Sequence, residues 1–505
     1  MDTSIPTFLL RYVPDDLHLD DVYQSEEYAA WEKLTAPEND GLLEEFVTGL
    51  LNGKRGRATR VGPTYPGSCN VVVRFCFPDA GPDVALRFPK PGAQTATAAA
   101  LLDEKTVNEA RWMQYLRART TIPIPEVYVY GTAAEGLPYM GPFILMEWMA
   151  GENLYAYLVS RPPSLKLDDI FTQVAGFLWE LYHLRLDKIG SVSEAAEGGL
   201  WSVTGRPLTW DMQQMFCDNP TLSTDAWPTG PLHSGRAYFH FVSRHQHSLL
   251  WAVRNLNVPC RYDAETNQSV QADHESALDR DAVERIARCR FKARRGFTAL
   301  VDQFYPDDEY DSLCDCPFVP YNLDLGPRNM LIDRTTGRIT GVIDWEYTNA
   351  MPAQFACDPP LWLALILPRA CLQSDSFSSF RKHYPPYLER FLAAVKRVEN
   401  QKTTAKTTSE PSTRTQTGAV REEHPSLSER MRQSWQSKRC WFDFAANYSD
   451  QVDGIYEAEL RGISRGAVSS RPEEEDEYAK FAVEQSVAYV REVGRREYGD
   501  GAATG

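Results

Sequence analysis

The hydrophobic positions of this chain change period several times, and each change predicts an element. In residues 1–58, Trp31, Leu34, Leu42, Leu43, Phe46, Leu50 and Leu51 recur at helical spacing, which predicts helices packed on the body. Residues 70–77 read Asn-Val-Val-Val-Arg-Phe-Cys-Phe. With 83–88 beyond a turn at 78–82, they predict two strands. From 97 to 117 the period is helical, with Val107, Ala110, Met113 and Leu116 on one stripe, and Pro123 and Pro125 end that region. Strand-rich stretches at 127–130 and 143–148 close a small β-rich lobe with one helix. Residues 151–260 read as largely helical, whereas 263–281 is polar and acidic, an exposed insertion or the start of a helix. Residues 330–333 and 338–343 form a hairpin around Arg334-Thr335-Thr336-Gly337. Residues 401–426 are rich in Thr, Ser, Lys and Glu with almost no large apolar residue, which predicts a mobile linker. Helical patterning returns at 428–448 and 455–460. A last helix near 478–498 has acids before its start and Arg491, Arg495 and Arg496 near its end, as the helix dipole favours. The chain shows no internal repeat. It divides into a helical extension (1–58), a β lobe (59–147), a larger helical lobe (148–400), the linker (401–426) and C-terminal helices packed on the larger lobe (427–505).

Length and charge narrow this picture. A chain of 505 residues exceeds one ordinary core, so two lobes are expected, and 43% hydrophobic residues with 12 tryptophans suit a globular interior. The net charge of −16 argues against nucleic acid and anionic membranes as partners. Residues 1–6 lack the basic and apolar regions of a signal peptide, and the apolar run 361–367 is too short to span a bilayer. A soluble, cytoplasmic protein is expected. Ten scattered cysteines suit reduced thiols better than a disulfide framework. Cys314-x-Cys316 and His245-x-His247 lack the spacing of a zinc site, and ordinary structural roles are the better reading.

Candidate chemistry lies around the hairpin. Asn322-Leu323-Asp324-Leu325-Gly326-Pro327-Arg328-Asn329 precedes it and Ile343-Asp344-Trp345-Glu346 follows it. The returning strand places Asp344 beside Asn329. Phosphoryl transfer needs one carboxylate to accept a hydroxyl proton, and an amide and a second carboxylate to hold Mg²⁺ on the phosphates. The segment has one residue for each role; its alternative is a surface Asp/Asn turn between strands.

The segment resembles the catalytic loop and metal-binding aspartate of the aminoglycoside phosphotransferase-like family, a branch of the protein-kinase-like fold. That family shows H-x-D-x-x-x-x-N, a hydrophobic hairpin, then D-W or D-x-E. The resemblance implies that Asp324 is the catalytic base and that Asn329 and Asp344 hold the metal. Asn322 stands where the family has His, and its amide can replace part of that residue's loop-supporting role. In Ala85-Leu86-Arg87-Phe88, Arg87 takes the place of the phosphate-binding Lys, and Glu109 falls where its partner glutamate is expected; a surface ion pair is the alternative. Leu145-Met146-Glu147-Trp148-Met149 matches the interlobe hinge, where backbone groups of Glu147 and Met149 would meet adenine. Gly67 and Ser68 resemble a glycine-serine turn whose amides cover the β/γ-phosphates, and a plain β-turn fits equally well. No Walker A motif is present, because Ser68 stands where its Lys would be. Glu346 either touches a second ion or is a solvated carboxylate, the latter slightly favoured. Lys188-Ile189-Gly190-Ser191 and Pro359-Pro360-Leu361-Trp362-Leu363 also resemble family segments.

The resemblance implies a bilobal kinase-like α+β fold. It implies Mg²⁺-dependent transfer of the γ-phosphoryl of ATP, or GTP, to a hydroxyl of a small molecule. Two alternatives stand beside it: a nucleotide binder without turnover, suggested by Asn322 and Arg87, and a scaffold protein. The sequence identifies no acceptor; the acidic balance is compatible with a cationic one.

Overall fold

Strand β4 (Val84–Pro89) is buried at every position, and it organises the N-terminal half of this computed structural model. The structure describes residues 7–498 apart from 11, 14, 37–39, 79–80, 93–95, 196–198, 214–223, 260, 264–267, 271, 273–274, 306–317, 375, 410–424 and 464–471. Beside β4 lie β3 (Asn70–Cys76) and β6 (Phe143–Glu147). The six-stranded antiparallel sheet is completed by β1 (Thr59–Arg60), β2 (Tyr65–Pro66) and β5 (Val127–Gly131). A central strand is covered on both faces, which is why β4 is buried throughout and apolar at every position but Arg87, while burial alternates along β3.

One face of this sheet carries Val71, Val73, Phe75, Leu86 and Phe88. It is covered by Trp31 and Leu34 of the helix Glu26–Thr35 and by Leu43 and Val47 of the helix Asp40–Leu50. The N-terminal helices thus form half of the small lobe's core. The other face, with Ala85, Ile144 and Met146, packs on Leu101, Ala110, Met113 and Leu116 of the helix Ala96–Arg117. Alternation along β4 puts Arg87 on the same face as Ala85, toward that helix.

The larger lobe is helical. Its helices Leu167–His183 and Phe377–Ser409 pack together, and Arg280–Phe304 packs on Gly235–Ala252 and Pro472–Tyr498. The helix Arg280–Phe304 buries Arg290 and Arg294 against Asp453, at 2.5 and 3.0 Å. Gly296 on the same helix lies under the ring of Tyr456, so that any side chain at 296 would collide with it. The larger lobe also holds short strands: β7 (Glu152–Asn153), the ribbon of β8 (Ser191–Glu194) and β9 (Trp201–Gly205), and the pair β10 (Arg261–Asp263) and β11 (Gln268–Val270). Strand β12 (Phe318–Tyr321) pairs with β15 (Asn349–Pro352), while β13 (Met330–Asp333) lies between β7 and β14 (Arg338–Val342). The architecture is a bilobal α+β fold, as the sequence predicts.

Of the two readings of 263–281, the start of a helix holds at its end, where the helix Arg280–Phe304 begins after strand β11. One expectation is corrected. The mobile linker cannot begin at 401, because helix Phe377–Ser409 continues through that point. Its end is held locally: Thr403 and Thr404 hydroxyls donate to the Glu399 and Asn400 carbonyls, and Lys402 lies 3.7 Å from Glu180. Residues 410–424 and the Cys314–Cys316 pair lie outside the described residues. Among the described residues no helix is long and apolar enough to cross a membrane.

Candidate active site

The two lobes meet in a network of charged side chains. Arg87, buried on β4, donates to Glu109 on the helix Ala96–Arg117. Its second terminal nitrogen lies 2.7 Å from Asp344 and 3.2 Å from Glu346. Glu109 also accepts from the Trp345 N–H at 3.2 Å, so the helix holds both the strand and the loop. The surface-pair alternative for Arg87 and Glu109 is therefore excluded: both side chains are buried. Glu346 is not a solvated carboxylate either. It is 11% exposed and accepts from Lys105 at 2.9 Å and from the Asn70 amide at 3.0 Å. Burial alone would raise its pKa, but Lys105 and Arg87 outweigh that and hold it at about 2.

The loop before β13 is tied by two asparagines. The Asn322 amide donates to the Thr348 hydroxyl at 2.9 Å and to the Glu346 carbonyl at 3.2 Å, while its Oδ1 accepts from the Asp324 N–H at 2.9 Å. An amide at this position thus ties the loop to the strand that follows Asp344. Asn329 donates to the Asp324 carboxylate at 2.8 Å and to its carbonyl at 3.0 Å. The β13–β14 pairing returns the chain so that the Ile343 N–H donates to the Asn329 carbonyl at 2.9 Å, which sets Asp344 beside Asn329. Asp344 has φ +64°, a left-handed conformation that Asp tolerates better than most residues. Asp324 opens to solvent on one side. Desolvation on its others, with the charge of Asp344, raises its pKa to about 6 against the pull of the Asn329 hydrogen bond.

The remaining predicted residues are only partly free for their expected roles. The Gly67 N–H donates to the Asn70 carbonyl at 2.8 Å, closing a tight turn between β2 and β3, so that amide is not available to a phosphate. The Ser68 N–H makes no hydrogen bond among the described residues. In the hinge, the Glu147 N–H is taken by the Glu126 carbonyl at 2.8 Å and cannot meet a base edge, whereas the Met149 N–H has no partner among the described residues. Sequence reasoning missed Lys105 as a site residue, although its place one helical turn before Glu109 was a signal. Asn70 was visible as part of the turn but its reach to Glu346 was not.

Among the described residues no group of three or more His, Cys, Asp or Glu side chains is arranged to hold a metal. Asp344 and Asn329 supply a carboxylate and an amide oxygen, both hard donors, and two such ligands suit an ion that completes its shell with water and phosphate oxygens. Beside Asp324 a cavity of about 220 Å³ opens into the larger lobe. Its walls include Tyr321, Phe355, Trp362, Phe444 and Tyr448.

Known proteins share parts of this chain. A subtelomeric hrmA-associated cluster protein of Aspergillus fumigatus is 32% identical over 151 residues, 29% of this chain and 26% of that protein. The chain therefore spans about a quarter of the length of that curated relative. Among solved structures, ADP-bound aminoglycoside phosphotransferase APH(2'')-Ib is 13% identical, with 89% of this chain and 99% of that one covered at a TM-score of 0.37. Plasmodium vivax ethanolamine kinase is 11% identical, with 87% and 85% covered at a TM-score of 0.35. A family model, that of the phosphotransferase enzyme family APH, matches residues 73–358, more than half of the sequence, and the chain belongs to that family.

Proposed function

We propose that this phosphotransferase moves the γ-phosphoryl group of ATP or GTP to a hydroxyl of a small molecule, with Mg²⁺. One observation carries the reading: Asp324 lines a cavity on one side and feels the charge of Asp344 on the other, with Asn329 bonded to it. A hydroxyl placed in the cavity would give its proton to Asp324 as its oxygen bonds to the γ-phosphorus. The bond from that phosphorus to the β–γ bridging oxygen breaks, and the nucleoside diphosphate leaves. Asn329 orients Asp324 through its amide N–H. Arg87, fixed by Glu109 through one terminal nitrogen, would reach the phosphates with the other once Asp344 turns from it to the metal. Ser68 remains a candidate for phosphate contact, and the Glu147 carbonyl and the Met149 N–H for contact with the base. Magnesium bound by Asp344 and Asn329 would neutralise charge on the phosphate oxygens.

A nucleotide binder without turnover is the second reading, favoured by the Arg87–Asp344 pair, which engages the proposed metal ligand. Two variants separate the readings. Asp324→Asn should keep nucleotide affinity and lower turnover by roughly 10²–10⁴-fold, the usual contribution of a placed general base. Asp344→Asn should weaken Mg²⁺-dependent nucleotide binding as well. Nucleotide affinity and product formation are measured for both. Wild-type turnover by Asp324→Asn would remove Asp324 from the mechanism, and nucleotide binding without product from any acceptor would favour the second reading.

A further inference from the structure

We infer that the acceptor is a neutral, ring-bearing alcohol or phenol rather than a polycationic aminosugar. The inference rests on the phosphotransferase reading and names the substrate class of the same site. At about 220 Å³, the cavity beside Asp324 somewhat exceeds the roughly 150 Å³ that accommodates one benzene ring, so one or two fused rings fit. Its walls are mostly apolar, with the rings of Tyr155, Tyr321, Phe355, Trp362, Phe444 and Tyr448 set among leucines and prolines. Tyr321 and Phe355 lie 5.2 Å apart, and Phe444 and Tyr448 4.8 Å apart, between ring centroids. The polar edge of Trp362 is already used, its Nε1 donating to the Leu325 carbonyl at 3.1 Å, so its ring is what remains for a ligand.

The charges of the cavity argue in the same direction. Asp358 is engaged within the protein: the Ser434 hydroxyl donates to it and Arg439, shared with the buried Asp443, lies 3.3 Å away. The Asn447 amide reaches the Tyr321 hydroxyl at 3.4 Å. Two charged groups of the lining remain, Asp324 and Arg328. Arg328 lies over the Tyr155 ring at 4.2 Å and makes no ion pair among the described residues. Their sum is zero. A polycation entering here would lose its hydration and meet one carboxylate and one guanidinium, which cannot replace it. A neutral ring loses only water-exposed apolar surface, which favours binding. One wall, with Phe444, belongs to the helix Arg439–Asn447, which lies beyond the residues matched by the family model. The acceptor is thus chosen by a part of the chain that the family match does not describe.

The test uses the full chain with 2-naphthol, a neutral fluorescent phenol, and kanamycin, a polycation, titrated separately. Stabilisation against heat by Mg²⁺ and ATP is recorded in parallel. Saturable 2-naphthol binding is expected, with no kanamycin binding over the same range, and 2-naphthyl phosphate should form with ATP. Phe444→Arg should weaken 2-naphthol binding about tenfold or more and leave the nucleotide shift unchanged, while Phe444→Leu should restore binding. If Phe444→Arg does not fold, Leu367→Lys at the cavity rim, where the residue is 40% exposed, serves the same purpose. Preferential binding or phosphorylation of kanamycin overturns the inference, as does 2-naphthol binding unaffected by both variants. Absent 2-naphthol binding with an intact nucleotide shift sinks the acceptor class alone. Intact 2-naphthol binding with no nucleotide shift sinks the phosphotransferase reading instead.

Discussion

Lys105 stands four residues before Glu109 and is only 3% exposed, so its ammonium is held almost entirely by Glu346 and the ring of Tyr347. Lys105→Met would leave Glu346 buried with Arg87 as its remaining cation. A loss of ~3 kcal/mol of stability is expected, read by urea unfolding. The sign of its pH dependence follows from Glu346, whose pKa falls from an ordinary 4.5 to about 2 on folding. The stabilisation is complete above the higher value and disappears as pH falls toward the lower one, so the deficit of Lys105→Met should narrow in that window. An equal deficit at all pH values would mean that the contribution of Lys105 is packing alone. The Asp324 carboxyl, raised to about 6, must be ionised to accept a proton; turnover should therefore decline as pH drops through that value. A flat acid limb would contradict its role. The proximity of Asp324, Asn329 and Asp344 was legible in the sequence because one loop and one hairpin bring them together. Asn70 and Lys105 were not, because they meet Glu346 across 276 and 241 residues. Glu346 was misread for the same reason: its partners are distant in sequence, and without them a carboxylate looks solvated.

Among elements, the two central strands and the helix Ala96–Arg117 were readable from periodicity, since burial on a sheet face or helix stripe is written locally. The end of the helix Phe377–Ser409 was not. Composition alone suggested a linker, but Gln, Lys and Ala are good helix formers, and Lys402 finds Glu180 and the Trp179 ring, 5.1 Å from its ammonium. Trypsin should consequently spare Lys402 in the native protein and cut there only when denaturant is added. Early cleavage at Lys402, identified by mass spectrometry, would show that the helix ends sooner. At the other contact between helices, Gly296→Ala should displace the Tyr456 ring and lower stability by about 1–3 kcal/mol, the usual effect of overpacking. An unchanged unfolding midpoint would mean that the ring moves aside freely.

At the scale of the whole molecule, the charged network lies where the small lobe meets the large one, and a nucleotide bound there should stabilise both. At about 100 times Kd, Mg²⁺ and ATP would add roughly 2.7 kcal/mol, a rise of a few degrees in melting temperature for a chain of this length. No rise with ATP or GTP, with Mg²⁺ or Mn²⁺, would count heavily against the proposed chemistry.

The Asn70–Glu346 hydrogen bond has a kinetic counterpart. It fastens the β2–β3 turn of the small lobe to the loop after Asp344, so the resting cleft is latched by a side chain of its own roof. A latch of this kind sets gate frequency: the protein that melts highest need not be the one that fills fastest. Asn70→Ala should lose about 1 kcal/mol of stability and admit a fluorescent ATP analogue faster in stopped-flow mixing. An association rate equal to that of the wild type would mean that the cleft opens by a route that never breaks this bond.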